Sequence, residues 1–186
     1  MPKTYTAAGS AVAGDVYTAA AHNVIVTDVN NFIVPPMCKI VYSTTISIPN
    51  NTHTIMTHVS TNSTEEFDTD GMVSLSATPS YITVQTAGVY LVSVTADFAA
   101  NATGIRYARI VRIRSGAATA LASSQIANVG ASNDAIMSLS GMIECQANDS
   151  FAIGVFQNSG GALNMAGQNV EFGGTMICAE WVGRTS

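Results

Sequence analysis

Charge is what this chain has least of. Only 10% of its residues are Asp, Glu, Lys or Arg, against about a quarter in an ordinary soluble domain. Seven basic residues face twelve acidic ones, a net charge of −5, so the electrostatic footprint of a nucleic-acid binder is missing. Long apolar runs are missing too. Thr, Ser, Asn and Gly break every stretch before the roughly 20 residues that a spanning helix needs, and no membrane partner is expected. No cationic stretch followed by an apolar core and a small-residue cleavage site opens the chain, so no secretory signal is read. The Gly-x-Ser-x-Gly elbow of esterases is absent, and with three histidines a catalytic triad has little to be built from. No catalytic residue, resident metal or cofactor is expected. The three cysteines, Cys38, Cys145 and Cys178, are odd in number, far apart and set among apolar neighbours. They read as buried free thiols rather than as a disulfide framework or a metal site.

What is present is apolar and β-prone. Hydrophobic residues make up 47% of the 186, enough for a sizeable core. Lys, Glu and Arg, which favour helices, are scarce, whereas Thr, Ser, Val, Ile, Asn and Gly dominate, which points to an all-β chain. A chain this poor in charge that does not cross a membrane is expected to cover its apolar surface with copies of itself.

Two regions differ in pattern. Residues 1–36 begin without periodicity, and then Ala21, Ile25, Val29 and Phe32 form a single apolar stripe at helical spacing. Thr18 is placed to cap that helix, and Pro35-Pro36 stop it after Val34. A lone amphipathic helix of about four turns is marginal in water, so it needs a surface: the domain, its copies or a foreign protein. Ile25, Val29 and Phe32 are the candidate anchoring residues.

From residue 37 to 186 short strands alternate with turn signals at roughly ten-residue spacing, the sandwich or barrel pattern. Tyr90, Val92, Val94, Ala96 and Phe98 alternate with Leu91, Ser93, Thr95 and Asp97 along the clearest strand, so one face is apolar throughout. Met137, Leu139, Ile143 and Cys145 share one face of another strand, and Phe151, Ile153 and Val155 one face of a third. A run from Thr52 to Ser60 carries His53 and His58, which fall on opposite faces of an extended chain. The acidic stretch 63–72 reads as a polar turn, solvated or contributing part of a Ca²⁺ site through Asp68 and Asp70. The last strand is bulky on both faces, with Phe172, Met176 and Cys178 against Ile177 and Trp181, so its outer side should be buried by another chain.

Arginine is clustered. Arg106, Arg109, Arg112 and Arg114 are four of the seven basic residues. Alternation puts Arg106, Arg112 and Arg114 on one face with Ala108 and Ile110, and Arg109 on the other with Tyr107, Val111 and Ile113. Two readings stay open. These charges pair with the acids at 65–70, Asp97 or Glu144, within or between protomers, or Arg106, Arg112 and Arg114 contact an anionic partner.

Thr86-Ala87-Gly88-Val89-Tyr90 with its strand to Phe98, Gln146–Val155 around Asn148-Asp149, Gln157-Asn158-Ser159-Gly160, and Phe172 with Trp181-Val182-Gly183 occur in an order and spacing that resemble the globular head of complement component one-q and its tumour-necrosis-factor relatives. The resemblance covers about residues 40–183. Asn148-Asp149 stands where that family has Gly-Asp, at a turn that needs a left-handed residue. It implies a ten-strand jelly-roll β-sandwich that packs as a homotrimer, without enzymatic activity. Tyr90, Arg109, Phe172, Met176 and Trp181 are the residues expected where copies meet.

The opening segment, with Gly14-Asp15, Thr18-Ala19, Asn23, Asp28 and Val34-Pro35-Pro36, is similar to the opening of many tailed-bacteriophage structural proteins. It departs at Asp28-Val29-Asn30, where those have Asp-Asn directly. Together the two resemblances imply a protein on the outer surface of a virion, made in the bacterial cytoplasm and attached through residues 1–36 to a major capsid or tail protein. Capsid decoration or a head fibre fits the short chain. A tail fibre or minor tail protein binding a host cell-surface glycan, and a soluble lectin-like trimeric module, are the alternatives.

Overall fold

The structure is a computed structural model of the chain, and it describes residues 18–77, 79–127, 130, 132–167 and 174–184, with the side chains of residues 24, 27, 28 and 30–33 left aside. Helix α1 spans Ala19–Ile33. The Thr18 hydroxyl accepts the Ala21 N–H at 3.2 Å, the cap that the sequence suggests. The helix ends before Pro35, which removes an N–H donor and pushes the preceding residue out of helical geometry.

The described residues then form twelve strands in two antiparallel sheets. One is built from β1 (Met37–Tyr42), β2 (Ile46–Ile48), β4 (Ser63–Asp68), β6 (Gly88–Phe98), β9 (Ala135–Cys145), β11 (Leu163–Met165) and β12 (Met176–Gly183). Its main run is β9–β6–β12–β1–β4, with β2 and β11 extending the far end of β6. The other contains β3 (Thr54–Ile55), β5 (Ile82–Thr83), β7 (Arg106–Arg114), β8 (Ala117–Ile126) and β10 (Ser150–Gln157), with β10 and β7 at its centre. The chain is a jelly-roll sandwich. Two of its strands have only two residues, so the ten-strand expectation differs from twelve only in such fragments.

The core is the set of alternating residues named from the sequence. Tyr90, Val92, Val94, Ala96 and Phe98 on β6 interleave with Phe151, Ile153 and Val155 on β10 and with Ile40, Ile177 and Ile110. Two expectations change. Residues 63–68 are an edge strand, not a turn: β4 pairs along β1, and Lys39 holds Glu66 at 2.8 Å. A polar edge strand looks like a turn in sequence because charged side chains are how a sheet edge resists further pairing. The 52–60 run is strand only at Thr54–Ile55.

Because every ladder is antiparallel, the registers define two poles. β1, β6, β8 and β10 run one way, β4, β7, β9 and β12 the other. At one pole lie the exit of α1, the 84–88 approach to β6, the 146–149 turn and the end of β12, where the Trp181 N–H donates to the Pro36 carbonyl at 2.8 Å. At the other pole lie 50–52, 99–105, 132–134 and 157–162. These loops bond to one another: Gly160 N–H to Asn50 Oδ1 at 3.0 Å, Ile105 N–H to Asn158 Oδ1 at 2.6 Å, and Ala100 N–H to Asp134 Oδ1 at 2.8 Å.

Candidate functional site

The motif that carries the family resemblance closes the pole from which α1 leaves. Gly88 has φ +153°, and the space where a Cβ would stand is filled by the Trp181 indole and the Gly183 carbonyl. The indole N–H donates to the Ala87 carbonyl at 3.2 Å. The Tyr90 hydroxyl donates to the Thr86 carbonyl at 2.6 Å, and the Thr86 hydroxyl to Asp70 Oδ2 at 2.9 Å. Gly-x-Tyr is thus a latch that ties the start of β6 to the end of β12, with glycine required for the approach of the indole.

Tyr90 and Trp181 were expected between copies, and here the structure corrects the sequence. Both point into the protomer's own core, 0% and 4% exposed, and have no surface left for a partner. Their bulk is spent on the latch. Met176 is half-buried on the outer face of the seven-stranded sheet and Arg109 on the outer face of the five-stranded one, so these two look away from each other. Phe172 lies outside the described residues. The four described members of the expected set are therefore not brought together.

An exposed apolar surface elsewhere was missed. On the outer face of the seven-stranded sheet the register aligns Met37, Glu180, Leu91 and Met142 in one row across four strands. Met142 is 70% exposed, and Leu91, Ile136, Phe67 and Val182 are also exposed. The sequence signal was present: Leu91, Ile136 and Met142 sit at the positions of β6 and β9 opposite in parity to the core set, among Ser and Thr.

The arginine grouping holds, but the face that a contact with an anionic partner would need outside lies inside. Arg106, Arg112 and Arg114 share a face, and it is the inner one. Arg106 is fully buried at the loop pole, where its guanidinium donates to the carbonyls of Asn101 at 2.9 Å and Thr103 at 2.7 Å. Burial lowers its pKa. Arg112 reaches the Glu144 carbonyl of the other sheet at 3.1 Å. Arg114 holds the buried Asp149 through two nitrogens, at 2.8 and 2.6 Å, and this pairing keeps the Asp149 carboxyl below its ordinary pKa. Asp149 also accepts the Gln146 N–H at 2.8 Å, with Asn148 at φ 72°, the left-handed turn that the Asn-Asp pair implies. Arg106 has no surface to offer an anionic partner, and Arg114 is engaged already. The reason is length: an arginine at either end of a short apolar strand reaches past the core layer to carbonyls or a carboxylate. The outer face of β7 carries more apolar bulk, Tyr107, Val111 and Ile113 against Ala108 and Ile110, so pattern alone points the strand the wrong way.

The remaining candidates separate. His58 is buried against Tyr42, ring centroids 5.4 Å apart, while His53 lies on Phe156 at 4.6 Å on the outside of the five-stranded sheet. Asp97 is buried beside Asp134, and burial first, then that neighbour, raises its pKa. Among the described residues no three His, Cys, Asp or Glu side chains gather as a metal site. All three cysteines are free, with Cys38 and Cys145 buried, and burial pushes the Cys145 thiol up to about 12. Of the anchoring stripe, Ile25 and Val29 are 43% and 49% exposed, whereas the Phe32 side chain lies outside the described set. Among the described residues no helix is long and apolar enough to cross a membrane.

No protein-family model matches the chain, and no curated protein matches it in sequence. Its fold is matched by solved structures. Eiger TNF from S. frugiperda superposes with a TM-score of 0.59 at 10% identity, over 81% of this chain and 94% of that one. Murine APRIL gives 0.57 at 12% identity over 79% and 98%, and the globular domain of zebrafish complement 1qA gives 0.51 at 14% over 81% and 99%. At these identities the likeness is one of fold: this chain is a jelly roll of the kind found in tumour-necrosis-factor and complement-1q domains.

Proposed function

We propose that this protein is a non-enzymatic structural component of a tailed-phage virion, a homotrimeric jelly roll attached to the particle through residues 1–36 and presenting its far pole outward. The observation that carries the reading is the division of the molecule into two poles. An exposed apolar helix leaves from one, and interlocked polar loops gather at the other. The opening segment's similarity to phage structural proteins supplies the particle, and the family likeness supplies the trimer.

The exposed apolar row on the seven-stranded sheet fits that assembly. Met142, Leu91 and Val182 leave water when a second copy covers them, at about 25 cal/mol per Å² of apolar area. The loops at 50–52, 132–134 and 157–162 belong to the outward pole, whereas 60–71 is largely β4 and ends at the pole from which α1 leaves. Capsid decoration suits a chain whose described part holds one sandwich and one helix but no shaft.

Two measurements test the proposal. Light scattering on the full chain at micromolar concentration should return a mass near three protomers. Antibodies against the sandwich should label the outside of purified particles in electron microscopy. A monomer removes the trimer, and unlabelled particles from a lysate that contains the protein remove the virion placement.

A further inference from the structure

The five-stranded sheet contains no acidic residue in any of its strands; the four arginines of β7 are its only charges. The six acids carried by strands, Glu65, Glu66, Asp68, Asp97, Glu144 and Glu180, all belong to the other sheet. With Arg106, Arg112 and Arg114 engaged inward, Arg109 is the one full charge on the outer face of the acid-free sheet. Among the described residues it forms no ion pair. Its guanidinium lies over the Tyr107 ring, 5.3 Å from the centroid.

That ring begins a ridge. Tyr107 meets Phe156 at 5.6 Å, and Phe156 meets His53 at 4.6 Å. The two ends of the ridge, Arg109 and His53, both line a basin of about 160 Å³. Its apolar lining includes Ile55, Val111 and Ala120, and Gly154 supplies bare backbone. A side chain at Gly154 would meet Val111 Cγ2 at 2.7 Å. The basin is well below the roughly 300–1,000 Å³ of sites for drug-sized ligands, so it takes one small ring or terminal group and nothing larger.

The geometry points to a binding site for a single carboxylate-bearing sugar, such as the acidic end of a surface glycan. Arg109 is a planar fork that meets a carboxylate through two donors. The apolar lining takes the C–H face of a sugar ring, and the His53 imidazole, which lines the same basin, meets a ring hydroxyl. An aliphatic acid would satisfy Arg109 and leave the basin empty, so a ring is the better occupant. The site lies within one protomer, on the sheet face opposite the exposed apolar row, and needs neither the trimer nor the particle.

The test is chemical-shift mapping on the isotope-labelled full chain with methyl β-D-glucuronide, using methyl β-D-glucoside as the neutral control. The glucuronide should shift Arg109, Val111 and Gly154 saturably in the millimolar range, with the glucoside at least tenfold weaker. Arg109→Gln should weaken glucuronide binding at least tenfold while leaving the thermal midpoint within a degree or so. The site is overturned if the two sugars bind equally, if the shifts lie elsewhere, if Arg109→Gln binds as the parent does, or if nothing saturates at tens of millimolar. A blocked glutamate peptide that outcompetes the glucuronide at these residues overturns the sugar assignment in favour of an acidic protein partner.

Discussion

Lowering the pH from 7 to 4 should destabilise the sandwich through His58. The ring is fully buried beside Tyr42, and neither of its nitrogens has a hydrogen-bond partner among the described residues. Burial holds its pKa at about 4 instead of the ordinary 6.5. The unfolded chain therefore binds this proton more readily than the folded one does. Its contribution to stability is complete above pH 6.5 and is lost as the pH falls toward 4. A displacement from 6.5 to about 4 corresponds to roughly 3 kcal/mol, or about 6–12 °C in the midpoint of a chain this size. Asp97 acts in the opposite sense, because its raised folded-state pKa favours folding as the pH falls. The comparison must be one in which Asp97 is constant. His58→Leu removes both nitrogens and keeps an apolar side chain against Tyr42. Thermal unfolding of parent and variant at pH 7, 6, 5 and 4, at fixed protein concentration, should show the difference moving in the variant's favour by about 6–12 °C across the series. Parallel pH dependences would refute the assignment of this loss to His58.

Three further outcomes are expected. Asp149→Ala should cost about 2–3 kcal/mol in denaturant unfolding, because it orphans Arg114 and the Gln146 N–H together; the parent's midpoint in the variant would show that the pair is idle. Gly88→Ala should destabilise by about 2–4 kcal/mol, since a methyl group there meets the Trp181 indole, and a loss within about 0.5 kcal/mol, the ordinary effect of a surface change, would contradict the latch. Leu91→Asp combined with Met142→Asp should return a single-protomer mass by light scattering while the far-ultraviolet spectrum stays that of the parent. A persisting oligomer would place the contact elsewhere.

The sandwich was legible because its core strands alternate cleanly: β6 and β10 place their bulky residues at every second position, and burial follows. The polar edge strand β4 was not, since Glu65, Glu66 and Asp68 give no alternation to read. The Arg114–Asp149 pair joins positions 35 residues apart, a distance at which neither pattern nor spacing carries information. Direction was the other failure. Periodicity groups Arg106 with Arg112 and Arg114 but cannot say which side of a two-faced strand is inside, and the same ambiguity sent Trp181 outward in the reading and inward in the structure. The basin around Gly154 had no linear signal, since Arg109, His53 and Gly154 are brought together only by the pairing of β3, β10 and β7.

The hydrogen-bonded neighbourhood of Pro36 and Trp181 also fixes how the molecule would carry load. A pull on the helix enters the sandwich at Met37, the first residue of β1, and travels along that strand. β1 is flanked on both sides, by β12 and by β4, and antiparallel ladder bonds lie perpendicular to the strand. Tension along β1 therefore shears both ladders at once, with their bonds resisting together, instead of peeling one bond after another. A tether attached at this end would hold against drag in the direction for which two interlocked ladders are strongest.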